Sequence, residues 1–337
     1  MRRFACVMMV AAVGCGGSAI RTIPIRFGEA TPLEIDGVTP CTLQSTSPGE
    51  VNPAAPLTVL VHGCNDSAGR FTTLADVFEA HGQQALCFTY ESRDEIDVGA
   101  RRLTQALAQL EHRVPGQPIK VIGHSQGGLV ARRAFTGLPN EPKLDANYEL
   151  VTVSSPFAGV HAARHCGLTW LHVLSLGITP AICRGVAGKN WREIHRRADM
   201  VEDPGPIRAS VTTYLQVRTD ERHACRVLDE DGRCEEDDFV FSLAEQRNPR
   251  ALGPGFRQLE IEAGHVGIVG DYGEIPSQLI GLLQEHGIMN PTPPQQREAM
   301  ARLLARLYAE DEPPALVPRN RDDLQKHGSR GLASASE

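Results

Sequence analysis

The 337-residue chain has few aromatic residues and no excess of positive charge. Phenylalanine, tryptophan and tyrosine together make up 5% of the sequence, and the formal net charge is -7. Proteins that bind nucleic acid need basic surfaces for the phosphates, and many use aromatic side chains to stack on the bases. This composition therefore excludes nucleic acid as an expected partner.

The sequence also lacks common metal-binding motifs and long apolar runs. It contains neither a C-x-x-C nor an H-E-x-x-H pattern, so no metal site is expected. Past the N-terminal leader, no stretch of apolar residues is long enough to cross a bilayer.

The N-terminus is predicted to be a removable leader. Two arginines follow Met1, residues 4–13 form a short apolar run, and small residues precede Cys15. This arrangement resembles the lipobox of bacterial lipoproteins, in which the cysteine is acylated. The resemblance implies an extracytoplasmic protein anchored to a membrane through Cys15, and the alternative is a secreted or periplasmic protein.

The cysteine count fits an exported protein. Of the nine cysteines, one lies in the leader and Cys15 would be acylated, which leaves an odd number and hence one free thiol. Exported proteins can use disulfides as staples, and short separations favour the pairs Cys225–Cys234 and Cys166–Cys183.

Short apolar segments alternate with amphipathic segments in the middle of the chain. The apolar segments are typical of buried parallel strands, whereas 71–78 and 96–110 carry apolar residues at helical spacing. The predicted strands are 57–61, 85–90, 119–123, 150–154 and 211–217. The alternation predicts an α/β fold with a doubly wound, mostly parallel sheet and a site at the carboxyl ends of the strands.

The same pattern divides the chain into regions. We expect a leader at 1–15, an N-terminal segment at 16–56, a catalytic domain at 57–290, and a C-terminal helix followed by a disordered tail at 291–337. Residues 157–210 form a helical cap inserted late in the sheet. The cap is either packed permanently on the core or a mobile lid, and the sequence leaves both possibilities open.

The strongest chemical motif is Gly123-His124-Ser125-Gln126-Gly127-Gly128, directly after a predicted strand and before a predicted helix. In that context G-x-S-x-G indicates a nucleophile elbow, whose sharp turn requires small flanking residues and whose helix N-terminus stabilises negative charge. Ser125 is therefore the candidate nucleophile.

This motif and the upstream His62-Gly63 turn resemble the α/β-hydrolase superfamily, and within it the bacterial lipases and esterases that carry G-H-S-Q-G-G. The resemblance covers roughly residues 57–270. It implies an oxyanion hole formed by the main-chain N–H groups of Cys64 and Gln126.

The resemblance also implies a triad in the order Ser, acid, His. His265 lies between small residues after an apolar strand pattern and is the candidate base. Three aspartates remain candidates for the acid. Asp237 is favoured because 237–240 resembles the D-G-x-V turn of these lipases; Asp220, directly after the strand 211–217, ranks second, and Asp238 third.

The expected function is hydrolysis of carboxylic esters, with a lipid or another hydrophobic ester as the substrate, through an acyl-enzyme and without a cofactor. Two alternatives stay open. One is an amidase, thioesterase or lipid acyltransferase on the same scaffold, and the other is a catalytically inactive surface lipoprotein that only binds its ligand. The oligomeric state is not predicted.

Overall fold

The computed structural model describes residues 31–41, 49–63, 72–160, 191–221, 228, 231–233, 238, 240–270 and 274–309. The predicted leader with Cys15, the two predicted disulfide pairs, the middle of the predicted cap (161–190) and the chain beyond 309 lie outside the described residues.

The described residues form nine strands and eight α-helices. The strands are β1 (Thr31–Leu33), β2 (Val38–Thr39), β3 (Gly49–Val51), β4 (Leu57–Val61), β5 (Gln84–Phe88), β6 (Ile119–His124), β7 (Tyr148–Val153), β8 (Val211–Thr219) and β9 (Phe256–Ile261). The helices are α1 (Thr72–Ala80), α2 (Ile96–Arg113), α3 (Gln126–Ala134), α4 (Trp191–Ile194), α5 (Asp199–Glu202), α6 (Leu243–Gln246), α7 (Ser277–Glu285) and α8 (Arg297–Leu307).

A seven-stranded sheet organises the molecule. Its strand order is β2-β5-β4-β6-β7-β8-β9, and β1 and β3 form a separate two-stranded antiparallel sheet. In the large sheet only β2 runs antiparallel to its neighbour, so the other six strands end at the same edge. This confirms the predicted α/β fold with a doubly wound, mostly parallel sheet.

Burial explains why the central strands are rich in apolar residues. Every residue of β4 and of β6 is buried, because helices cover both faces of the sheet. On one face α2 contributes Ile96, Leu103 and Leu107 to a core that includes α3, and on the other face α1 and α7 contribute to a second core. The site at the carboxyl edge is thus supported by two rigid layers.

A disulfide joins Cys41 to Cys87, a pair that the sequence analysis did not anticipate. The two cysteines are 46 positions apart in the chain. The pairing of Thr39 with Cys87 across β2 and β5 brings them together, and only the sheet topology reveals it. The bond fastens the edge strand β2 to the sheet.

The described residues contain neither a membrane-spanning helix nor a cluster of metal ligands. None of their helices combines the length and the hydropathy needed to span a bilayer. Within the same residues, no group of three or more histidine, cysteine, aspartate or glutamate side chains could hold a metal ion.

Candidate active site

Ser125 occupies a strained turn between β6 and α3. Its φ of 57° and ψ of -127° lie in a region that residues with a side chain rarely adopt. The main-chain N–H of Ser125 donates to the carbonyl of Val153 at 2.8 Å, and its carbonyl accepts from Gly128 at 3.0 Å. These bonds hold a sharp strand-to-helix turn of the kind that a nucleophile elbow requires.

Close approach of neighbouring backbone explains the glycines after the serine. A Cβ atom on Gly127 would lie 2.2 Å from the carbonyl oxygen of Val61 and 2.3 Å from that of His62. A Cβ atom on Gly128 would lie 1.9 Å from the hydroxyl of Ser155. Since neither contact is tolerable, the elbow packs this tightly only with glycine at both positions.

His62 and Tyr90 shape the turn that faces the elbow. His62 Nδ1 donates to the carbonyl of Gly63 at 2.9 Å, and its Nε2 accepts from the main-chain N–H of Tyr90 at 3.3 Å. The Tyr90 hydroxyl donates to the His62 carbonyl at 3.0 Å, and the two rings stack 4.6 Å apart. This fixes the end of β4 beside the serine.

His265 lies in the loop after β9 and is held on several sides. Its Nδ1 is 2.9 Å from Oδ2 of Asp238, and its main-chain N–H donates to the Asp238 carbonyl at 2.8 Å. Its own carbonyl accepts from Nε2 of His124 at 2.7 Å. The ring of Phe241 meets the imidazole edge-on at 5.0 Å. The imidazole therefore has a defined position and a buried acid on one nitrogen.

Asp238 is fully buried, and hydrogen bonds surround its carboxylate. Oδ1 accepts from the main-chain N–H groups of Val240 at 3.0 Å and Phe241 at 2.7 Å. Oδ2 accepts from the hydroxyl of Thr219 at 2.6 Å as well as from His265. A buried carboxylate needs such partners, because an unpaired charge in the interior is strongly unfavourable.

Residues 57–216 match the model of the palmitoyl protein thioesterase family, a region just under half of the chain. The match spans the elbow and the five strands from β4 to the greater part of β8. The chain has a fold of the α/β-hydrolase type. The family that it matches consists of thioesterases, which are hydrolases.

Solved structures resemble this α/β-hydrolase more distantly. The mature lipase BlEst2 of Bacillus licheniformis is 16% identical and has a TM-score of 0.47, with 70% of this chain and 93% of the lipase covered. The monoacylglycerol lipase of Paleococcus ferrophilus is 16% identical with a TM-score of 0.41, and the coverages are 76% and 96%. These similarities are too loose to transfer a substrate or a residue role. No curated protein matches the chain.

The fold brings the sequence-predicted nucleophile and base to one edge of the sheet. The imidazole of His124, the residue before Ser125, lies 4.8 Å from that of His265 between ring centroids. Among the described residues no hydrogen bond joins Ser125 to His265, and the Nε2 atom of His265 donates or accepts none. Catalytic hydrogen bonds are often long in free enzymes and tighten when substrate binds.

The structure distinguishes the acid candidates by their contacts with His265. Asp238, which the sequence ranked third, bonds to His265. Asp220 follows β8 as expected, but its N–H donates to the carbonyl of Ile261 and the bonds of His265 do not include it. Asp237, the favoured candidate, lies outside the described residues.

Of the two oxyanion-hole candidates, Gln126 lies among the described residues. Gln126 is the first residue of α3 and is buried, and its side-chain amide donates to the carbonyl of Ser92 at 2.8 Å. Its main-chain N–H lies in the first helical turn, where N–H groups lack partners inside the helix. Cys64 lies outside the described residues.

Sequence reasoning missed the buried polar residues around the acid. Thr219 at the end of β8 and Gln246 in α6 contact the Asp238 carboxylate, and Ser154 after β7 contacts the hydroxyl of Thr219. The signal for Thr219 was its position at the carboxyl end of a strand, where α/β proteins build their sites. Nothing in the sequence pattern pointed to Gln246.

Proposed function

We propose that this protein is a serine hydrolase that cleaves carboxylic esters of hydrophobic acids through an acyl-enzyme. In this proposal Ser125 is the nucleophile, His265 the general base and Asp238 the acid. One observation carries it: a buried aspartate is hydrogen-bonded to Nδ1 of a histidine whose loop is tied to a strained serine elbow. We assign the acid to Asp238 rather than Asp237 because Asp238 bonds to that nitrogen.

The proposed reaction begins with proton transfer. A donor bond from Nδ1 to Asp238 leaves the lone pair of His265 on Nε2, which accepts the hydroxyl proton of Ser125 as its oxygen attacks the ester carbonyl. Asp238 stabilises the imidazolium that forms. The imidazolium then gives its proton to the leaving alcohol, and an acyl-enzyme remains.

The main chain completes the proposed reaction. The N–H of Gln126, at the N-terminus of α3, faces the negative charge that develops on the carbonyl oxygen, and the resemblance adds the N–H of Cys64. Water deprotonated by His265 then attacks the acyl-enzyme and releases the acid. This chemistry requires no cofactor.

Hydrolysis of fatty acyl thioesters is the second candidate function. The match to the palmitoyl protein thioesterase family specifically favours it. Both reactions use the same nucleophile and the same acyl-enzyme, so they differ only in the leaving group. A long hydrophobic acyl chain is the part of the substrate that they share.

We further propose that the enzyme acts outside the cytoplasm, anchored through acylated Cys15. The disulfide between Cys41 and Cys87 supports this location, because disulfides persist mainly in oxidising compartments. Membrane association through the acyl chains would bring the enzyme to hydrophobic substrates.

The test is hydrolysis of p-nitrophenyl esters and of thioesters with the same short and long acyl chains, using wild-type enzyme and Ser125→Ala. We expect hydrolysis by wild type and background rates for the variant, since the serine oxygen forms the acyl bond. The ratio of ester to thioester rates at equal chain length decides between the two candidate functions. Undiminished activity of Ser125→Ala would contradict the proposal.

A further inference from the structure

Two hydroxyl groups, those of Ser154 and Thr219, form a line of hydrogen bonds from the carboxyl ends of β7 and β8 to Asp238. The hydroxyl oxygen of Ser154, directly after β7, lies 2.6 Å from that of Thr219 at the end of β8. The Thr219 hydroxyl in turn donates to Oδ2 of Asp238 at 2.6 Å. All three side chains are fully buried. These hydrogen bonds therefore extend from the pair formed by His265 and Asp238 to the carboxyl ends of β7 and β8.

The number of hydroxyl protons determines which group donates in each of these hydrogen bonds. Thr219 has one hydroxyl proton, and the carboxylate of Asp238 at 2.6 Å is a stronger acceptor than the amide oxygen of Gln246 at 3.4 Å. With that proton directed to Asp238, the short contact to Ser154 requires Ser154 to be the donor. Each hydroxyl thus donates towards the carboxylate.

Hydrogen bonds to their main-chain groups hold Thr219 and Ser154 in place. Gln246 brackets Thr219, because its Oε1 accepts from the Thr219 N–H and its Nε2 donates to the Thr219 carbonyl, each at 2.9 Å. Ser154 has a φ of 50°, and its N–H donates to the carbonyl of Val217 at 2.9 Å. A strained residue kept in this position is typical of a functional constraint.

We propose that Thr219 and Ser154 are positioning residues that hold the Asp238 carboxylate in its orientation towards His265. The inference rests on the proposed function, since it concerns the acid of that triad. Without the Thr219 hydroxyl, Oδ2 loses its shortest donor and the buried carboxylate is under-stabilised. The carboxylate is then held less firmly, and the imidazole of His265 is less well oriented.

The experiment compares Thr219→Val, which removes the hydroxyl at nearly constant volume, with Thr219→Ser, which keeps it. Ser154→Ala tests the outer hydroxyl. Thr152→Val is the matched control, because Thr152 is also fully buried in β7 but its hydroxyl contacts Tyr214 at 3.5 Å instead of the acid. The readouts are kcat and KM on a p-nitrophenyl ester, the rate of labelling by a fluorophosphonate, and the thermal midpoint.

We expect Thr219→Val to lower kcat and the labelling rate by about tenfold, the size of one charge-assisted hydrogen bond, with little change in KM. Thr219→Ser should restore both kcat and the labelling rate. Ser154→Ala should give a smaller loss, and Thr152→Val should match wild type.

Three results would overturn the inference. The first is wild-type kinetics for Thr219→Val in a folded protein, and the second is an equal loss in Thr219→Val and Thr219→Ser. The third is a loss in Thr152→Val as large as in Thr219→Val, which would indicate packing alone. A wild-type enzyme that neither hydrolyses esters or thioesters nor reacts with the probe would instead refute the proposed function, and the inference with it.

Discussion

His124 donates a hydrogen bond from Nε2 to the main-chain carbonyl of His265 at 2.7 Å, across 141 positions of sequence. His124 is the last residue of β6, and Ser125 follows it. The bond therefore connects the nucleophile elbow to the loop of the candidate base through groups that do not themselves react. Both residues are buried, so water competes little for this bond.

The first prediction concerns the acid. Asp238→Asn should reduce kcat by about four orders of magnitude with little change in KM, because an asparagine favours the wrong imidazole tautomer. Asp220→Asn is the same change at the residue directly after β8, and it should leave kcat near the wild-type value. The measurement is steady-state hydrolysis of a p-nitrophenyl ester. A larger loss in Asp220→Asn or Asp237→Asn than in Asp238→Asn would move the acid elsewhere.

The sheet was predictable because its signal is local. β4 and β6 are short segments that are rich in apolar residues and buried throughout, and apolar residues recur at helical spacing in α2. The serine elbow was equally predictable from the sequence, since its strand, glycines and helix lie within one short segment. Local patterns of this kind can be recognised in a sequence without knowledge of the tertiary structure.

The acid and the disulfide depended on contacts that the sequence does not encode locally. Asp238 faces His265 because of a loop between β8 and β9, and the family's D-G-x-V turn favoured its neighbour instead. Cys41 meets Cys87 because β2 adds antiparallel to β5. Spacing along the chain favoured closer cysteine pairs, and spacing carries no information on sheet order.

The second prediction concerns the close packing of the elbow. Gly127→Ala should lower the free energy of unfolding by about 3 kcal/mol or more, because its Cβ would lie 2.2 Å from a backbone oxygen. Gly281→Ala in α7 is the control, since nothing lies within 4 Å of a Cβ there. It should raise the stability by up to about 1 kcal/mol. Urea unfolding measures both, and equal stability of the two variants would contradict this packing.

The third prediction concerns the disulfide. Replacing both Cys41 and Cys87 by alanine should lower the free energy of unfolding by about 2–4 kcal/mol under oxidising conditions. The difference between wild type and the double variant should shrink towards zero in reductant, because both then lack this crosslink. Denaturant unfolding with and without reductant is the measurement. A difference unaffected by reductant would mean that packing, and not the crosslink, is responsible.

The fourth prediction concerns pH. Burial in α1, helped by the charge of Glu79, raises the pKa of Asp76 from 3.8 to about 7. The folded protein thus holds this proton more tightly than the unfolded chain. The stability contributed by protonated Asp76 is complete below about pH 4 and is lost as pH rises through about 7.

Asp76→Asn removes this titration. The thermal midpoint of the variant, relative to wild type, should therefore rise between acidic and mildly alkaline pH. Because Asp76 is only partly buried, solvent screening keeps the effect modest. A difference that is constant across this pH range would show that Asp76 does not titrate as described.

The most direct test of the central claim is mass spectrometry after labelling with a fluorophosphonate, on wild type, Ser125→Ala and His265→Ala. The account predicts a single adduct on Ser125 in wild type and none in Ser125→Ala. In folded His265→Ala the labelling should be slower by about three orders of magnitude, because no base takes the serine proton. An adduct on another residue, or an unchanged rate in His265→Ala, would contradict it.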